Sequence, residues 1–385
     1  MKVVLFGLLL SCCTVSLVAQ SGRRNKPSPT PAQSAVVQND DDQYSESKPT
    51  DGFSYSKKRR ETPPVQPKTD TSTSTDEDTI KVETNLVSIP VSVYERSGVY
   101  VGGLRRSDFK IFEDGKEQEI AYFGTTEVPF SVVLLIDVSG STDNKIRQIQ
   151  TAAMSFIGDL SPTDKVMIVE FDSSVNTLCD FTSDRAVLEK AVRKVGSGGG
   201  TALYNAVETV LKKKFKGIQG RKAVVLFTDG VECSMGMNSS GYEDTLALAE
   251  ESDAVVYSVY YNTYFDSVGI GGGNGPMSGI PTISKPSNSP CESPEAYTRG
   301  RTYLQELARL TSGKMFRAEA TTGGLSAAFE GIANELGNQY TIGYYPNEPG
   351  ANGQRKQIKI RVNRAGVAIR ARDSYIVGAA AKSGK

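Results

Sequence analysis

The stretch VVLLIDVSGS, residues 132–141, decides the fold of this 385-residue chain. Its first half is a short, nearly continuous apolar run, which is typical of a buried strand in a parallel sheet. Its second half is a turn that carries Asp137 and two serines. The next segment has apolar residues at helical spacing from Ile146 to Leu160, which predicts an amphipathic helix. Strand and helix together predict one unit of a doubly wound, mostly parallel α/β sheet.

A second apolar run, residues 223–227, ends in the turn Thr-Asp-Gly at 228–230. Between the two runs, the sequence SGGGT at 197–201 opens another helical pattern. Ligands of open α/β sheets bind beyond the carboxyl ends of the strands, so we expect both turns at one edge. The oxygen-bearing side chains that would meet there suit a hard cation such as Mg²⁺. They are Asp137, Ser139, Ser141, Thr201 and Asp229.

These motifs resemble a known binding site. D-x-S-x-S at 137–141, G-T-A-L at 200–203 and T-D-G at 228–230 resemble, in this order, the metal-ion-dependent adhesion site of von Willebrand factor type A domains. The resemblance spans roughly residues 129–336. The flanking segments 86–124 and 340–346 resemble the acidobacterial VWFA-related family of exported proteins.

The resemblance implies a role for each site residue and for a partner. Ser139 and Ser141 would bind Mg²⁺ or Mn²⁺ through their hydroxyls, and Thr201 would bind directly or through water. Asp137 and Asp229 would act mainly through bound waters. A carboxylate of a protein or glycan partner would complete the coordination, because neutral hydroxyls leave the cation under-neutralised.

Each motif also has a plainer interpretation. Asp137 followed by Ser-Gly-Ser can be a turn with a helix cap, and residues 228–230 alone can be a turn after a strand. The glycines at 198–200 could cradle phosphate, but no G-K-[ST] follows, which argues against a P-loop. Three functions remain: an adhesion-type binding module, a structural envelope protein with a rigidifying metal, and a metal-assisted hydrolase.

Composition weighs against several classes of protein. The 44 basic residues equal the 44 acidic residues, so the charge balance indicates neither nucleic acid nor an anionic membrane as a partner. There is no histidine, which removes histidine-based acid–base catalysis and histidine-ligated zinc. We therefore expect a binding protein rather than an enzyme.

The first residues predict export. Lys2 precedes an apolar stretch at 3–10 that is too short for a permanent membrane span. Cleavage near Ala19 or Gln20 would release the chain to the periplasm, the cell surface or the medium. The sequence LLSC at 9–12 also resembles a lipoprotein cleavage box, in which Cys12 would carry a lipid anchor as the one membrane attachment.

The rest of the chain divides by composition. The expected parts are a signal peptide at 1–20, a disordered linker at 21–79, an N-terminal β region at 80–126, the metal-binding domain at 129–337, a C-terminal β region at 338–377 and a tail at 378–385. Neither β region is large enough for a good core alone, so we expect both to form one small sandwich with the α/β domain inserted between them.

Smaller features add three expectations. Pro90 favours an edge position for its strand, because proline lacks a backbone donor. A Gly-, Pro- and Ser-rich insertion is expected between Tyr261 and Gly300. Cys179, Cys233 and Cys291 remain after signal removal. A bridge between Cys233 and Cys291 would join two loops on the metal face, and three unpaired thiols are the alternative.

Overall fold

A computed structural model describes residues 45–47, 86–125, 128–234, 240–263, 291, 293–318 and 323–377. The predicted signal peptide, Cys12, the tail at 378–385 and most of the predicted linker lie outside these residues. No helix among the described residues is long and apolar enough to cross a bilayer.

The strands, in chain order, are β1 (Ser45–Glu46), β2 (Val87–Glu95), β3 (Phe109–Glu113), β4 (Lys116–Gln118), β5 (Ile120–Gly124), β6 (Phe130–Asp137), β7 (Lys165–Phe171), β8 (Val175–Thr182), β9 (Arg221–Thr228), β10 (Ala254–Tyr260), β11 (Met315–Arg317), β12 (Tyr340–Tyr344), β13 (Arg355–Val362), β14 (Val367–Arg370) and β15 (Ser374–Ile376).

The α-helices are α1 (Ile146–Asp159), α2 (Arg185–Val192), α3 (Leu203–Thr209), α4 (Tyr242–Glu251), α5 (Pro294–Leu310) and α6 (Gly324–Asn338). Short 3₁₀ segments run over Arg106–Asp108 and Gly140–Lys145, and a π-helical segment, Val210–Lys214, continues α3.

The central sheet has the strand order β11-β10-β9-β6-β7-β8, parallel except for β8 at one edge. Helices α1, α2 and α6 cover one face through residues such as Phe156 and Phe329. Helices α3, α4 and α5 cover the other face through residues such as Leu203 and Leu304. The valine-rich runs are continuous because both faces of the sheet are buried. The predicted doubly wound α/β fold is confirmed.

Strands β6 and β9 are neighbours, which positions the site. Ile136 of β6 lies opposite Phe227 of β9 in a parallel ladder. Both strands therefore end at the same edge of the sheet, and the turns that follow them meet there. This register brings Asp137 and Asp229 together although they are far apart in the sequence.

The N- and C-terminal strands form two antiparallel sheets around a shared core. One sheet has the order β14-β2-β12-β5, and the other joins β1, β13, β3 and β4, with β15 also paired to β13. Ile89, Ile111, Ile342 and Ile360 are fully buried between them. The predicted sandwich, with the α/β domain inserted along the chain, is confirmed.

The sandwich departs from the sequence expectation at Pro90. Strand β2 is an inner strand, so the prediction of an edge position is wrong. β14 pairs with β2 only from Ser92 onward. Pro90 therefore lies beyond the end of β14, where a missing N–H group costs no ladder hydrogen bond on that side.

Three residues of the predicted linker are ordered on the sandwich. Ser45 and Glu46 pair antiparallel with β13, and the Ser47 N–H donates to the Ile360 carbonyl at 2.8 Å. Glu46 forms ion pairs with Lys359 and Arg361. The prediction of a disordered linker is wrong at these residues, because backbone pairing and two basic partners order a segment that has no apolar side chains of its own.

The predicted insertion between Tyr261 and Gly300 ends earlier in the chain than expected, because a helix begins before Gly300. Helix α5 begins at Pro294, and the Ser293 hydroxyl accepts a hydrogen bond from the Ala296 N–H at 3.1 Å. Serine at the N-cap with proline at the first helical position is a strong start signal for a helix. The segment 293–300 is thus capped helix, and residues 264–290 and 292 lie outside the described residues.

Candidate metal centre

Asp137 is the last residue of β6 and is fully buried. Its Oδ2 accepts a hydrogen bond from the Thr228 hydroxyl at 2.6 Å, and its Oδ1 accepts one from the Ser139 N–H at 2.9 Å. Thr228 ends the neighbouring strand β9. The carboxylate is therefore held by the turn that follows β6 and by β9, with each oxygen oriented by a donor.

A run of hydroxyls connects the two turns. The Ser139 and Ser141 hydroxyl oxygens are 3.1 Å apart, and the Ser141 hydroxyl donates to Asp229 Oδ2 at 3.0 Å. Ser139 and Asp229 are buried, whereas Ser141 is exposed. Four of the five predicted site residues thus meet in one group that opens to solvent at Ser141.

Thr201 is brought to the same edge by its loop. The Gly198 N–H donates to the Val138 carbonyl at 2.6 Å, between Asp137 and Ser139, and the Thr201 carbonyl accepts from the Cys233 N–H at 2.8 Å. The Thr201 side chain is buried, and its hydroxyl makes no hydrogen bond to the described residues. The structure therefore places the Thr201 loop against the turn after β6 but does not hydrogen-bond this hydroxyl to the other four residues.

Asp229 has a second support that the sequence interpretation missed. The Thr263 hydroxyl lies 2.6 Å from Asp229 Oδ2 and 2.8 Å from the Tyr297 hydroxyl. Asp229 Oδ1 accepts the Val231 N–H at 3.0 Å. Thr263 follows β10 and Tyr297 lies on α5, so two further elements orient this carboxylate.

Burial raises the proton affinity of both carboxylates. Burial raises the pKa of Asp137, and the nearby charge of Asp229 raises it further. Burial also raises the pKa of Asp229, although hydrogen bonds from Thr263, Val231 and Ser141, together with the charge of Lys145, act in the opposite direction. The pair is therefore a region of under-compensated negative charge.

Residues 132–232 match the family model of the von Willebrand factor type A domain. The chain contains a von Willebrand factor type A domain. The match includes the turns that carry Asp137 and Asp229 as well as the Thr201 loop. It does not test the predicted metal-ion-dependent adhesion site or the resemblance to the acidobacterial VWFA-related family, which stay predictions. No curated protein matches the chain.

Solved structures similar to this chain include BatB of Bacteroides thetaiotaomicron, at 21% identity and a TM-score of 0.37, over 54% of this chain and 97% of that chain. The vWF domain of the type V pili tip protein Mfa5 of Porphyromonas gingivalis is 13% identical, with a TM-score of 0.38, over 54% of this chain and 94% of that chain. A von Willebrand factor type A protein of Catenulispora acidiphila is 13% identical, with a TM-score of 0.39, over 69% of this chain and 75% of that chain. The family assignment depends on the sequence match.

Asp172 supports the Thr201 loop of the von Willebrand factor A domain, and it too was missed from the sequence. Its Oδ2 accepts the Gly199 N–H at 3.2 Å, and its carbonyl accepts the Ala202 N–H at 2.7 Å. A Cβ atom on Gly198 would lie 2.5 Å from Asp172 Oδ2. Glycine at 198 therefore permits the close approach between the loop and the end of β7.

A disulfide lies beside the Thr201 loop. Cys233 is bonded to Cys291, with their Cα atoms 5.7 Å apart, and Cys179 is a free cysteine. Of the two alternatives that the sequence left open, the bridge between Cys233 and Cys291 is the one found. It joins the loop after β9 to the segment that leads into α5.

The donor set of the von Willebrand factor A domain fits a hard divalent cation. Among the residues in the described ranges, no cluster of three or more histidine, cysteine, aspartate or glutamate side chains is placed to hold a metal. The candidate centre instead combines two carboxylates with hydroxyls, which are ligands that Mg²⁺ accepts alongside water. Asp137 and Asp229 are buried with raised pKa values, so a cation there would offset the charge that burial penalises.

Proposed function

We propose that the chain is an exported, divalent-cation-dependent binding module of the adhesion type. Ser139, Ser141 and Thr201 would hold Mg²⁺ or Mn²⁺ through their hydroxyls, and Asp137 and Asp229 would orient its bound waters. A bound cation would supply an electrophilic position for a carboxylate of a protein or glycan partner. The observation that supports this best is the continuous run from Ser139 through Ser141 to Asp229 beside the buried Asp137.

The open side of the centre supports binding rather than a closed structural site. Gly140 and Ser141 are exposed on one side of the run, and Gly199 and Gly200 are exposed on the other. A partner carboxylate would approach the cation at these exposed residues. A structural metal site is instead usually closed by protein ligands.

The hydrogen bonds at the two carboxylates favour binding over hydrolysis. Asp137 accepts from Thr228 and Ser139, and Asp229 accepts from Ser141, Thr263 and Val231. A general base must reach a substrate water with a free lone pair and a suitable pKa. Both acids are engaged in holding the centre, and the chain has no histidine to serve instead.

The proposed location is the periplasm, the cell surface or the medium. Lys2 and the apolar stretch at 3–10 support export. The Cys233–Cys291 disulfide agrees with this location, because disulfides persist in oxidising compartments. Attachment through Cys12 stays an alternative to release of a soluble form.

Manganese titration of the full chain tests the cation. We expect isothermal titration calorimetry to detect one Mn²⁺ site, and we expect Asp137→Asn to abolish it. Asp180→Asn is the matched control, because Asp180 is an exposed carboxylate on β8, remote from the turns after β6 and β9. Equal Mn²⁺ binding by the Asp137 variant and the wild-type chain would reject the site.

Carboxylate polymers test the partner class. Alginate stands for an acidic glycan and polyglutamate for an acidic protein surface. We expect the immobilised full chain to retain at least one of them in Mg²⁺ but not in chelator, and the Asp137→Asn variant to retain neither. Retention that is unchanged by chelator would show that the carboxylate is not recognised through the cation.

A further inference from the structure

The loop after β9 holds the start of α3 in place. The Cys233 N–H donates to the Thr201 carbonyl at 2.8 Å. Glu232 Oε2 accepts the Tyr204 N–H at 2.9 Å, at a helix start where backbone N–H groups lack partners within the helix. The Thr201 hydroxyl makes no hydrogen bond to the described residues, so within that part of the chain these contacts and those of Asp172 position Thr201 through its backbone.

The disulfide ties this loop to a helix that supports Asp229. Cys291 lies just before Ser293, which caps α5. Tyr297, one turn into α5, is hydrogen-bonded to Thr263, which is hydrogen-bonded to Asp229. α5 is also anchored in the core by Leu304 and Leu307, which are fully buried. The disulfide therefore connects the loop that contacts Thr201 to the helix that contacts Asp229 through Thr263.

We propose that Cys233 and Cys291 are positioning residues for Thr201, and that reduction of their disulfide weakens cation binding at the centre. The inference rests on the proposed function. A dithiol reductant breaks the S–S bond with two electrons and two protons, which forms two cysteine thiols and the cyclic disulfide of the reductant. The loop at 231–234 then loses its covalent tie to α5, and Thr201 is held by the remaining hydrogen bonds alone.

Cation affinity tests the inference on the full chain. Mn²⁺ binding is measured by calorimetry for the oxidised chain, the chain reduced with dithiothreitol, and the Cys233→Ser/Cys291→Ser variant. We expect the reduced chain and the double variant to bind about tenfold more weakly, as for loss of a group that orients a metal ligand. Cys179→Ser is the control, since Cys179 lies outside the bridge and its variant keeps the bridge.

A double-mutant cycle separates positioning from a general loss of structure. In a Thr201→Ala background, the Cys233→Ser/Cys291→Ser change should cost almost no further Mn²⁺ affinity, because the group that it positions is already gone. A similar loss in both backgrounds would overturn the assignment to Thr201.

Amide hydrogen exchange gives a readout that needs no metal. We expect the Tyr204 and Cys233 amides to exchange faster in the double cysteine variant than in the oxidised chain. Unchanged exchange, or equal Mn²⁺ affinity with and without the bridge, would overturn this inference and leave the proposed function standing. Failure of the oxidised wild-type chain to bind Mn²⁺ would overturn both.

Discussion

The Ser141 hydroxyl donates a hydrogen bond to Asp229 Oδ2 at 3.0 Å and so joins the turns after two neighbouring strands. Ser139 extends this contact toward Asp137, whose second oxygen is held by Thr228 of β9. Ser141, in the turn after β6, donates to the turn after β9, and Thr228 of β9 donates back to Asp137 of β6. The candidate centre is therefore already assembled by the chain itself, and a cation would enter a prepared set of oxygens.

Replacement of either partner of this contact should weaken the centre. We expect Ser141→Ala and Asp229→Asn each to lower Mn²⁺ affinity at least about tenfold, because each removes a ligand or the group that orients it. The double variant should lose less than the sum, since the two residues act through one contact. Calorimetry measures the affinities, and Ser155→Ala, an exposed serine on α1, is the control. Additive losses would indicate that the residues act independently.

Thr263 should matter to the cation although it lies outside the predicted site. We expect Thr263→Val to lower Mn²⁺ affinity by about tenfold, because Asp229 loses a donor that orients it. Thr263→Ser keeps the hydroxyl and should restore most of the affinity. Thr298→Val, which removes an exposed hydroxyl from α5, is the control. Equal affinity of the valine and serine variants would exclude an orienting role for the hydroxyl.

The glycines of the Thr201 loop should differ in their tolerance of a methyl group. Gly198→Ala places a Cβ atom 2.5 Å from Asp172 Oδ2 and 2.8 Å from Asp172 Cβ, so the loop or Asp172 must shift. We expect a loss of about 1–3 kcal/mol in the free energy of unfolding, as for overpacking. Gly199→Ala is the matched control, because its Cβ atom would meet nothing within 4 Å. Urea unfolding of both variants makes the comparison, and equal stability would contradict the predicted clash.

Arg221 should hold the α/β domain to the chain segments that enter and leave it. Its guanidinium donates to the carbonyls of Val128, Leu336 and Gln339 at 2.9–3.1 Å and lies 3.8 Å from the centre of the Phe130 ring. Burial lowers its pKa to about 10, which still leaves it charged at neutral pH.

We expect Arg221→Ala to lower the free energy of unfolding by about 3 kcal/mol, because buried carbonyls lose charged donors. Arg221→Lys should recover only part of this loss, since an ammonium group cannot reproduce the planar fork. Urea unfolding is the measurement, and Arg147→Ala, at an exposed position of α1, is the control. A loss no greater than that of the control would show that the three carbonyls do not depend on Arg221.

Local sequence predicts some residues of the centre and gives no sign of others. Asp137 and Asp229 were predicted because each directly follows an apolar run, and strand ends are visible in sequence. Thr228 belongs to the T-D-G motif, but the motif alone gives no sign that its hydroxyl holds Asp137 across the sheet. Thr263 and Tyr297 lie on either side of the Gly-rich stretch, and no local pattern connects them to Asp229.

The same division applies to the fold. The helix start at Ser293-Pro294 could have been found from its cap signal, and it was missed because the surrounding composition is typical of a loop. The pairing of Ser45 and Glu46 with β13 could not have been found from the sequence, because a short polar strand depends on the sheet edge with which it pairs. The inner position of β2 depends likewise on its pairing with β14 on one side and β12 on the other.

Sequence alone determined the α/β class, the two-part sandwich and the oxygen-rich turns, because burial periodicity and turn chemistry are properties of consecutive residues. Tertiary structure decided which turns meet, through the parallel register of β6 and β9, and which cysteines are bonded. It also decided that Thr228, Thr263 and Tyr297 support the two acids. Contacts between distant residues depend on how whole elements pack, and no short stretch of the chain encodes that arrangement.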